Sequence, residues 1–106
     1  MLRARSTIFI NAGLSLMSTH HFSGLWIDVR TADEFNSGHI EGAAHIPYEE
    51  IALRISEVTT DKNATIHLYC RSGNRSGIAQ QTLHAMGFNN AVNEGGYEAI
   101  LQQQGK

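Results

Sequence analysis

The chain of 106 residues is 42% hydrophobic and 17% charged, with a formal net charge of −2 and a single cysteine. These values are typical of one globular domain rather than a disordered chain, and they lack the basic footprint of a nucleic-acid-binding protein. One cysteine also excludes an internal disulfide and a thiolate-rich zinc site.

The stretch 1–22 has the order of features found in a secretory signal. Two arginines precede two short apolar runs, 8–10 and 14–17, and basic residues before an apolar region are typical of export signals. The runs are too short to span a membrane as a helix, and no A-x-A cleavage site follows them. We therefore expect an N-terminal arm or a degenerate signal-like segment, followed by one domain over residues 23–106.

Two alternatives stay open for this N-terminal stretch. Thr7–Ile10 also fits a short first strand of the domain. The compartment depends on the same stretch, because the protein is periplasmic if residues 1–20 act as an export signal and cytoplasmic otherwise. A lone cysteine is compatible with both compartments.

Three elements are predicted before the only proline. Leu25–Val29 is an apolar run broken by one aspartate, as expected of a strand covered on both faces in a parallel sheet. Thr31 and Glu34 have the spacing of a capping box, so a short helix is expected to begin there. A second short strand is expected over Ala43–Ile46, and Pro47 ends it.

After the proline the apolar spacing becomes helical. Ile51, Ile55 and Val58 fall at i, i+4 and i+7, which is the spacing of one helix face. Glu50 and Arg54 have the i, i+4 spacing of an ion pair on the exposed side. A helix with its apolar face toward the core is therefore predicted here.

The second half of the chain alternates strands and helices. Ile66–Tyr69 is predicted as a buried strand, and Gly77–Met86 as a helix with Gly87 as its C′ residue. A brief strand at 91–92 and a last helix from about Tyr97 complete the pattern. This alternation predicts an α/β domain with a mainly parallel sheet, whose reactive loops lie at the carboxyl ends of the strands.

The loop between that strand and helix, residues 70–76, has the composition of an anion site. Backbone N–H groups and the dipole at a helix start favour negative charge. Cys70 lies at the strand end, where its thiol pKa is expected to fall from ~8.5 toward ~3.5–7.5. Gly73 permits a backbone turn, while Arg71 and Arg75 offer charge-assisted contacts. The pattern predicts a nucleophilic sulfur that meets an anion.

A metal site at this cysteine is not expected. His67 lies three residues before Cys70, and residues three apart in a strand point to opposite faces. The two side chains should therefore not share a ligand set.

With these elements in place, the sequence resembles the single-domain rhodanese-like sulfurtransferases over about Trp26–Ile100. Residues 27–30, followed by Glu34-Phe35, look like the family's opening strand and turn. Residues 35–46 match its F-x3-H-[LIV]-P-G-A-x2-[LIVF] stretch except for the proline, and residues 70–76 match its active loop C-x-x-G-x-R-[ST]. The arrangement is closest to the family's exported phage-shock-protein type.

The resemblance implies an α/β rhodanese-like domain with a mainly parallel four- or five-stranded sheet and helices on both faces. The family's usual first strand and helix are absent or degenerate before Asp28. The sheet is therefore expected to have four strands if that first strand is missing, and five otherwise. Two further departures are Glu41 in place of the family's proline and Ile100 in place of an expected aromatic residue.

The resemblance also implies a two-step sulfur transfer without a cofactor. The Cys70 thiolate takes the outer sulfur of a donor such as thiosulfate, and cyanide, a thiol or a protein acceptor removes it from the resulting persulfide. Arg75 has bracing of the loop as an alternative role, and the protein is expected to be a monomer without a membrane span. The expected substrate-binding residues are Arg71, Ser72, Gly73, Asn74, Arg75 and Ser76.

Two other functions stay open. Cysteine phosphatases and arsenate reductases use a similar anion cradle with the spacing C-x5-R, whereas Cys70 and Arg75 have the spacing C-x4-R. The shorter loop favours a sulfur atom over a phosphate. The sequence also fits a persulfide carrier or binding module that hands sulfur to a protein partner and turns over poorly alone.

The other conspicuous side chains are given structural roles. Asp28 and Arg30 are expected to fix the loops beside the pocket by hydrogen bonds, with a catalytic base as the alternative role of Asp28. His39 is expected to form a structural hydrogen bond rather than to act as an acid or base. Trp26 and Tyr69 are expected in the core, with the wall of the pocket as the alternative position for either.

Overall fold

The computed structural model describes residues 24–104, so the predicted N-terminal arm and its optional first strand lie outside the described residues. The strands are β1 (Leu25–Asp28), β2 (Ala44–His45), β3 (Ile66–Cys70) and β4 (Ala91–Gly96). The α-helices are α1 (Ala32–Asn36), α2 (Ile51–Arg54), α3 (Asn74–Ala85) and α4 (Tyr97–Gln104). Two 3-10 helices, Tyr48–Glu50 and Ile55–Glu57, flank α2.

The four described strands form one parallel sheet in the order β2-β1-β3-β4. The α/β class is confirmed, and over residues 24–104 the sheet has the smaller of the two expected strand numbers. Because the strands are parallel, their carboxyl ends lie at one edge, where ligand sites of such sheets form. β4 contains a bulge at Glu94, which lies between the partners of Leu68 and Tyr69 and redirects the following residues.

Helices cover the sheet on both faces, as expected. The larger hydrophobic core lies against α2 and α3 and includes Leu68, Ile51 and Leu83, each at most 1% exposed. The smaller core on the opposite face joins Tyr69 of β3 to Ile100 of α4. The strand period of two explains this division, because neighbouring residues of β3 point to opposite faces.

The predicted helix boundaries at two positions are confirmed. The Thr31 hydroxyl accepts the Glu34 N–H at 3.2 Å, and the Glu34 carboxylate accepts the Thr31 N–H at 3.1 Å, which completes the capping box of α1. Gly87 follows α3 with φ of 98° and donates its N–H to the His84 carbonyl at 3.0 Å. A left-handed residue at this position is the usual reason for glycine at a helix end.

Two boundaries near the predicted loop were wrong. Helix α3 begins at Asn74, three residues before the predicted start at Gly77, because Gly73 adopts φ of 101° and turns the chain directly from strand to helix. Strand β4 continues to Gly96 instead of ending at Val92, because its glycines pair with the end of β3. Glycines carry no apolar side chain, so periodicity did not reveal this extension.

The predicted helix after the proline is divided into three short segments. Ile51 and Ile55 are buried as expected, but Glu50 has φ of −105° and ψ of 3°, which interrupts regular α geometry. The expected ion pair between Glu50 and Arg54 is present at 2.7 Å. None of the helices within residues 24–104 is long and apolar enough to cross a membrane.

Candidate active site

Cys70 is the last residue of β3, and its side chain is completely buried. Its Sγ accepts a hydrogen bond from the Gly73 N–H at 3.0 Å, and the Ser76 hydroxyl donates toward it from 3.4 Å. Both donors belong to the start of α3, since Gly73 is the N-cap residue of that helix. The sulfur therefore lies at the end of the helix where the dipole favours negative charge.

The pKa of the Cys70 thiol reflects two opposing effects. Burial has the largest effect and raises the pKa, because the thiolate loses its water. Hydrogen bonds from the Ser76 hydroxyl and from the N–H groups of Ser76, Ser72 and Gly73 act in the opposite direction and lower the pKa to about 7. A thiol with a pKa near the ambient pH is well suited to attack another sulfur.

The backbone of the loop lies directly against the end of β4. A Cβ atom added at Gly96 would lie 2.5 Å from the Arg71 carbonyl oxygen, and one added at Gly73 would lie 3.4 Å from the Gly95 Cα. Only residues without side chains permit this approach at Gly96. The sequence patterns assigned no site role to the paired glycines 95 and 96, although their repetition was a signal of close backbone contact.

Arg75 pairs with α1. Its guanidinium donates two hydrogen bonds to the Glu34 carboxylate, at 2.8 and 3.1 Å. The hydrogen bond from Arg75 is the main reason why the pKa of Glu34 is lowered to about 2. This geometry fits the bracing role that was one of the two expectations for Arg75.

A cleft of about 300 Å³ opens beside the loop. Arg71 is exposed in this cleft. The other cation, Arg30, is engaged in an ion pair with Asp28. Among the described residues, Arg71 is therefore the cation of the cleft that no ion pair neutralises. The residues that line the cleft are Arg30, Glu34, Arg71, Tyr97 and Glu98.

Asp28 and Arg30 form a buried ion pair that holds the wall of the cleft. Their closest atoms are 2.6 Å apart, and the side chains are 0% and 6% exposed. Arg30 also donates to the Gly38 carbonyl at 2.7 Å and lies over the Tyr97 ring at 4.6 Å. The expectation that this pair fixes the neighbouring loops is confirmed.

His67 and Cys70 lie on opposite faces of β3, as expected. The His67 ring stacks on Trp26 with centroids 4.6 Å apart, and its Nδ1 lies 2.6 Å from the Glu94 carboxylate. Cys70 belongs to the larger core on the other face. Residues 24–104 contain no group of three or more His, Cys, Asp or Glu side chains arranged to hold a metal ion.

The other loop residues that were predicted to bind substrate differ in whether they contact Sγ. Gly73 and Ser76 donate toward Sγ. Ser72 supplies a backbone N–H to the sulfur, but its side chain is exposed. Asn74 is exposed at the first position of α3.

Asn93 of β4 contacts the site and was not predicted from the sequence. Its side chain accepts the Ser76 hydroxyl at 2.7 Å and donates to the Gly73 carbonyl at 3.0 Å. Asn93 is the register partner of Leu68, just before the bulge of β4. The two side chains therefore lie on the same face of the sheet. No local sequence pattern identifies such a contact, because it joins two elements that are distant in the chain.

Comparison with known proteins shows similarity to rhodanese-like proteins over most of the chain. A model of the rhodanese-like domain family matches residues 14–103. Thiosulfate sulfurtransferase PspE of Escherichia coli is 38% identical over 81 residues, which cover 76% of this chain and 78% of that protein. Putative sulfur carrier protein YrkF of Bacillus subtilis is 37% identical over 67 residues, which cover 63% of this chain and 35% of that protein.

Solved structures show the same similarity. A structure described as a rhodanese with anions from E. coli has 38% sequence identity and a TM-score of 0.69. The match covers 72% of this chain and 89% of that chain. The similarity therefore extends over most of the described sheet and its helices.

Proposed function

The chain belongs to the rhodanese-like sulfurtransferase family, and from this membership we propose that it moves sulfane sulfur from thiosulfate or a similar donor to cyanide or a thiol acceptor through a persulfide on Cys70. The observation that carries the proposal is the Cys70 sulfur itself, which backbone and hydroxyl donors surround and whose pKa is about 7. Covalent catalysis by such a thiolate divides one difficult displacement into two easier steps.

In the first step the Cys70 thiolate attacks the outer sulfur of thiosulfate. A new S–S bond forms to Sγ, the S–S bond of thiosulfate breaks, and sulfite leaves with the electron pair of that bond. The persulfide then carries its negative charge on the outer sulfur. In the second step cyanide or an acceptor thiolate attacks this outer sulfur, and Sγ leaves as the thiolate.

The loop provides the binding groups for the donor in this proposal. N–H groups of residues 71–76 stabilise the negative charge of the persulfide and of the donor's oxyanion. Arg71 contacts the sulfonate of the donor from the cleft, because its side chain is exposed there and unpaired among the described residues. Arg75 acts on the donor indirectly, by holding the start of α3 against Glu34.

The proposal is tested by intact mass spectrometry after incubation with thiosulfate and again after addition of cyanide. Wild-type protein is expected to gain the mass of one sulfur, to lose it with cyanide, and to form thiocyanate over many turnovers. Cys70→Ala is the matched control and is expected to gain nothing. Absence of any gain on wild-type protein would refute the proposal and direct attention to phosphate esters and arsenate as substrates.

A persulfide carrier is the second candidate, because one relative bears the name of a putative sulfur carrier. A carrier accepts sulfur on Cys70 but passes it on to a protein thiol, with negligible turnover on small acceptors. The same experiment separates the two functions. Stoichiometric gain without catalytic thiocyanate formation would favour the carrier over the enzyme.

A further inference from the structure

The Ser76 hydroxyl faces two acceptors with a single proton. Its Oγ lies 3.4 Å from Cys70 Sγ and 2.7 Å from Asn93 Oδ1. One hydroxyl proton makes one strong hydrogen bond at a time, so these two donations compete. Because Ser76 is 0% exposed, bulk water does not supply a replacement donor.

The orientation of the Asn93 amide is fixed by the backbone on either side. Its Oδ1 accepts the Gly95 N–H at 3.0 Å, and its Nδ2 donates to the Gly73 carbonyl at 3.0 Å. A backbone N–H only donates and a carbonyl only accepts, so the amide cannot be reversed without losing both bonds. The atom that faces Ser76 is therefore an acceptor.

The charge on Sγ decides which acceptor holds the hydroxyl. A neutral thiol sulfur is a weak acceptor, whereas hydrogen bonds to ionised acceptors are roughly twice as strong as neutral ones. The amide oxygen of Asn93 is the better partner while Sγ is neutral, and the thiolate is the better partner once the thiol proton has left to solvent.

We propose that Asn93 is a positioning residue for the Cys70 nucleophile, which holds the Ser76 hydroxyl whenever Sγ is neutral and releases it to Sγ when the thiolate forms. The hydroxyl keeps its own proton throughout and only rotates between acceptors. The inference rests on the proposed function where it concerns the persulfide, because the charge then lies on the outer sulfur and the hydroxyl returns to Asn93.

The proposed role of Asn93 depends on its competition with Sγ for the Ser76 hydroxyl, and this must be separated from its structural support of the loop. Asn93 also holds the Gly73 carbonyl and the Gly95 N–H, so any substitution there changes the loop as well as the acceptor. A substitution at Asn93 must therefore be compared in the presence and in the absence of the Ser76 hydroxyl. The charged groups around the site stay the same in this comparison; they are Arg71, Glu98, Arg75 with Glu34, and Asp28 with Arg30.

The test is a double-mutant cycle of wild type, Asn93→Ala, Ser76→Ala and the double variant. The rate of Cys70 alkylation by iodoacetamide is measured against pH, which gives the apparent thiol pKa of each protein. Ser76→Ala alone is expected to raise it. Asn93→Ala is expected to make the apparent acid dissociation constant of the thiol about threefold larger in the presence of the Ser76 hydroxyl than it does in the Ser76→Ala background.

The inference is overturned if Asn93→Ala shifts the profile equally in both backgrounds, or if the coupling has the opposite sign, since either result leaves Asn93 as a structural clamp only. Asn90→Ala, an exposed asparagine whose side chain bonds to the Asn63 carbonyl, is the matched control and is expected to shift nothing. Should Asn93→Ala fail to fold, Asn93→Ser completes the same cycle.

Alkylation needs no sulfur donor, so the two proposals fail separately. Coupling between Asn93 and Ser76 without any sulfur gain on Cys70 would overturn the proposed function and leave the positioning role intact. Sulfur transfer without coupling would overturn the positioning role alone.

Discussion

At the residue scale, one sulfur atom sits in surroundings that would normally make it inert. Cys70 belongs to the larger hydrophobic core, and cysteines buried among apolar side chains usually have raised pKa values. The start of α3 reverses this outcome because it directs N–H groups and the Ser76 hydroxyl at Sγ. Burial and hydrogen bonding together give a thiol that is shielded from bulk water and still ionises near neutral pH.

The pH dependence of the site follows from this balance. Since the pKa of Cys70 is lowered to about 7, the rate of its reaction with thiosulfate or iodoacetamide is expected to fall about tenfold per pH unit below that value and to level off above about pH 8. Stopped-flow rates over this range would measure the profile. Ser76→Ala is expected to move the rising limb to higher pH, and a profile that stays flat from about pH 6 to about pH 8 would contradict the assignment.

At the element scale, the loop depends on a neighbouring strand as much as on its own residues. The chain of Arg71 to Gly73 rests on the paired glycines at the end of β4. Two substitutions separate close contact from backbone conformation. A Cβ at Gly96 meets the Arg71 carbonyl oxygen at 2.5 Å, while a Cβ at Gly95 meets no atom within 4 Å but would be strained by φ of 96°.

Gly96→Ala is accordingly expected to displace the loop and to reduce sulfur transfer by at least about tenfold, whereas Gly95→Ala is expected to cost about 1–2 kcal/mol of stability through its left-handed backbone. Transfer rates and urea unfolding of both variants would test this. Equal losses of activity in the two variants, after correction for folded fraction, would show that contact with Arg71 is unimportant.

The sequence predicted those elements whose cause is local. Thr31 with Glu34, and Gly87 after α3, are signals that act within one helix turn, and both were recognised. The turn after Cys70 was also predicted from local composition, but the helix that follows it begins three residues earlier than expected. Asn93 and the bulge at Glu94 were not, because their effect depends on pairing with β3 and on contact with a loop 20 residues away in the chain. Such contacts leave no periodic pattern.

At the scale of the whole molecule, one ion pair connects parts of the chain that are 41 residues apart. Arg75 and Glu34 join the start of α3 to α1, with each side chain 27% exposed. Glu34 also forms the N-terminal capping box of α1 with Thr31. The pair therefore ties the helix that follows Cys70 to the element that forms one wall of the cleft.

Glu34→Gln removes the charge and keeps a side chain that is suited to the capping box. A partly exposed pair contributes about 1 kcal/mol or less, so the melting temperature is expected to fall by about 4 °C at neutral pH. The pKa of Glu34 is about 2, below its ordinary value of 4.5, so this stabilisation is present above about pH 4.5 and is lost as the pH falls through about 2.

Thermal unfolding of both proteins across this range is the measurement. Asp33→Asn, which removes a neighbouring exposed acid of the same helix turn, is the control and is expected to have a smaller effect. A difference between wild type and Glu34→Gln that did not diminish in acid would show that the ion pair is not its cause.

The complete burial of Cys70 has a consequence for the choice of sulfur acceptor. In the proposed mechanism the incoming donor must enter the ring of loop N–H groups, so it must be slender. The transferred sulfur, once attached, projects about 2 Å beyond Sγ along the new bond. The acceptor therefore meets the outer sulfur and never the cysteine, and its size is restricted by the rim of the cleft instead of by its floor. In this mechanism Cys70 thus restricts the size of the sulfur donor more strongly than the size of the acceptor.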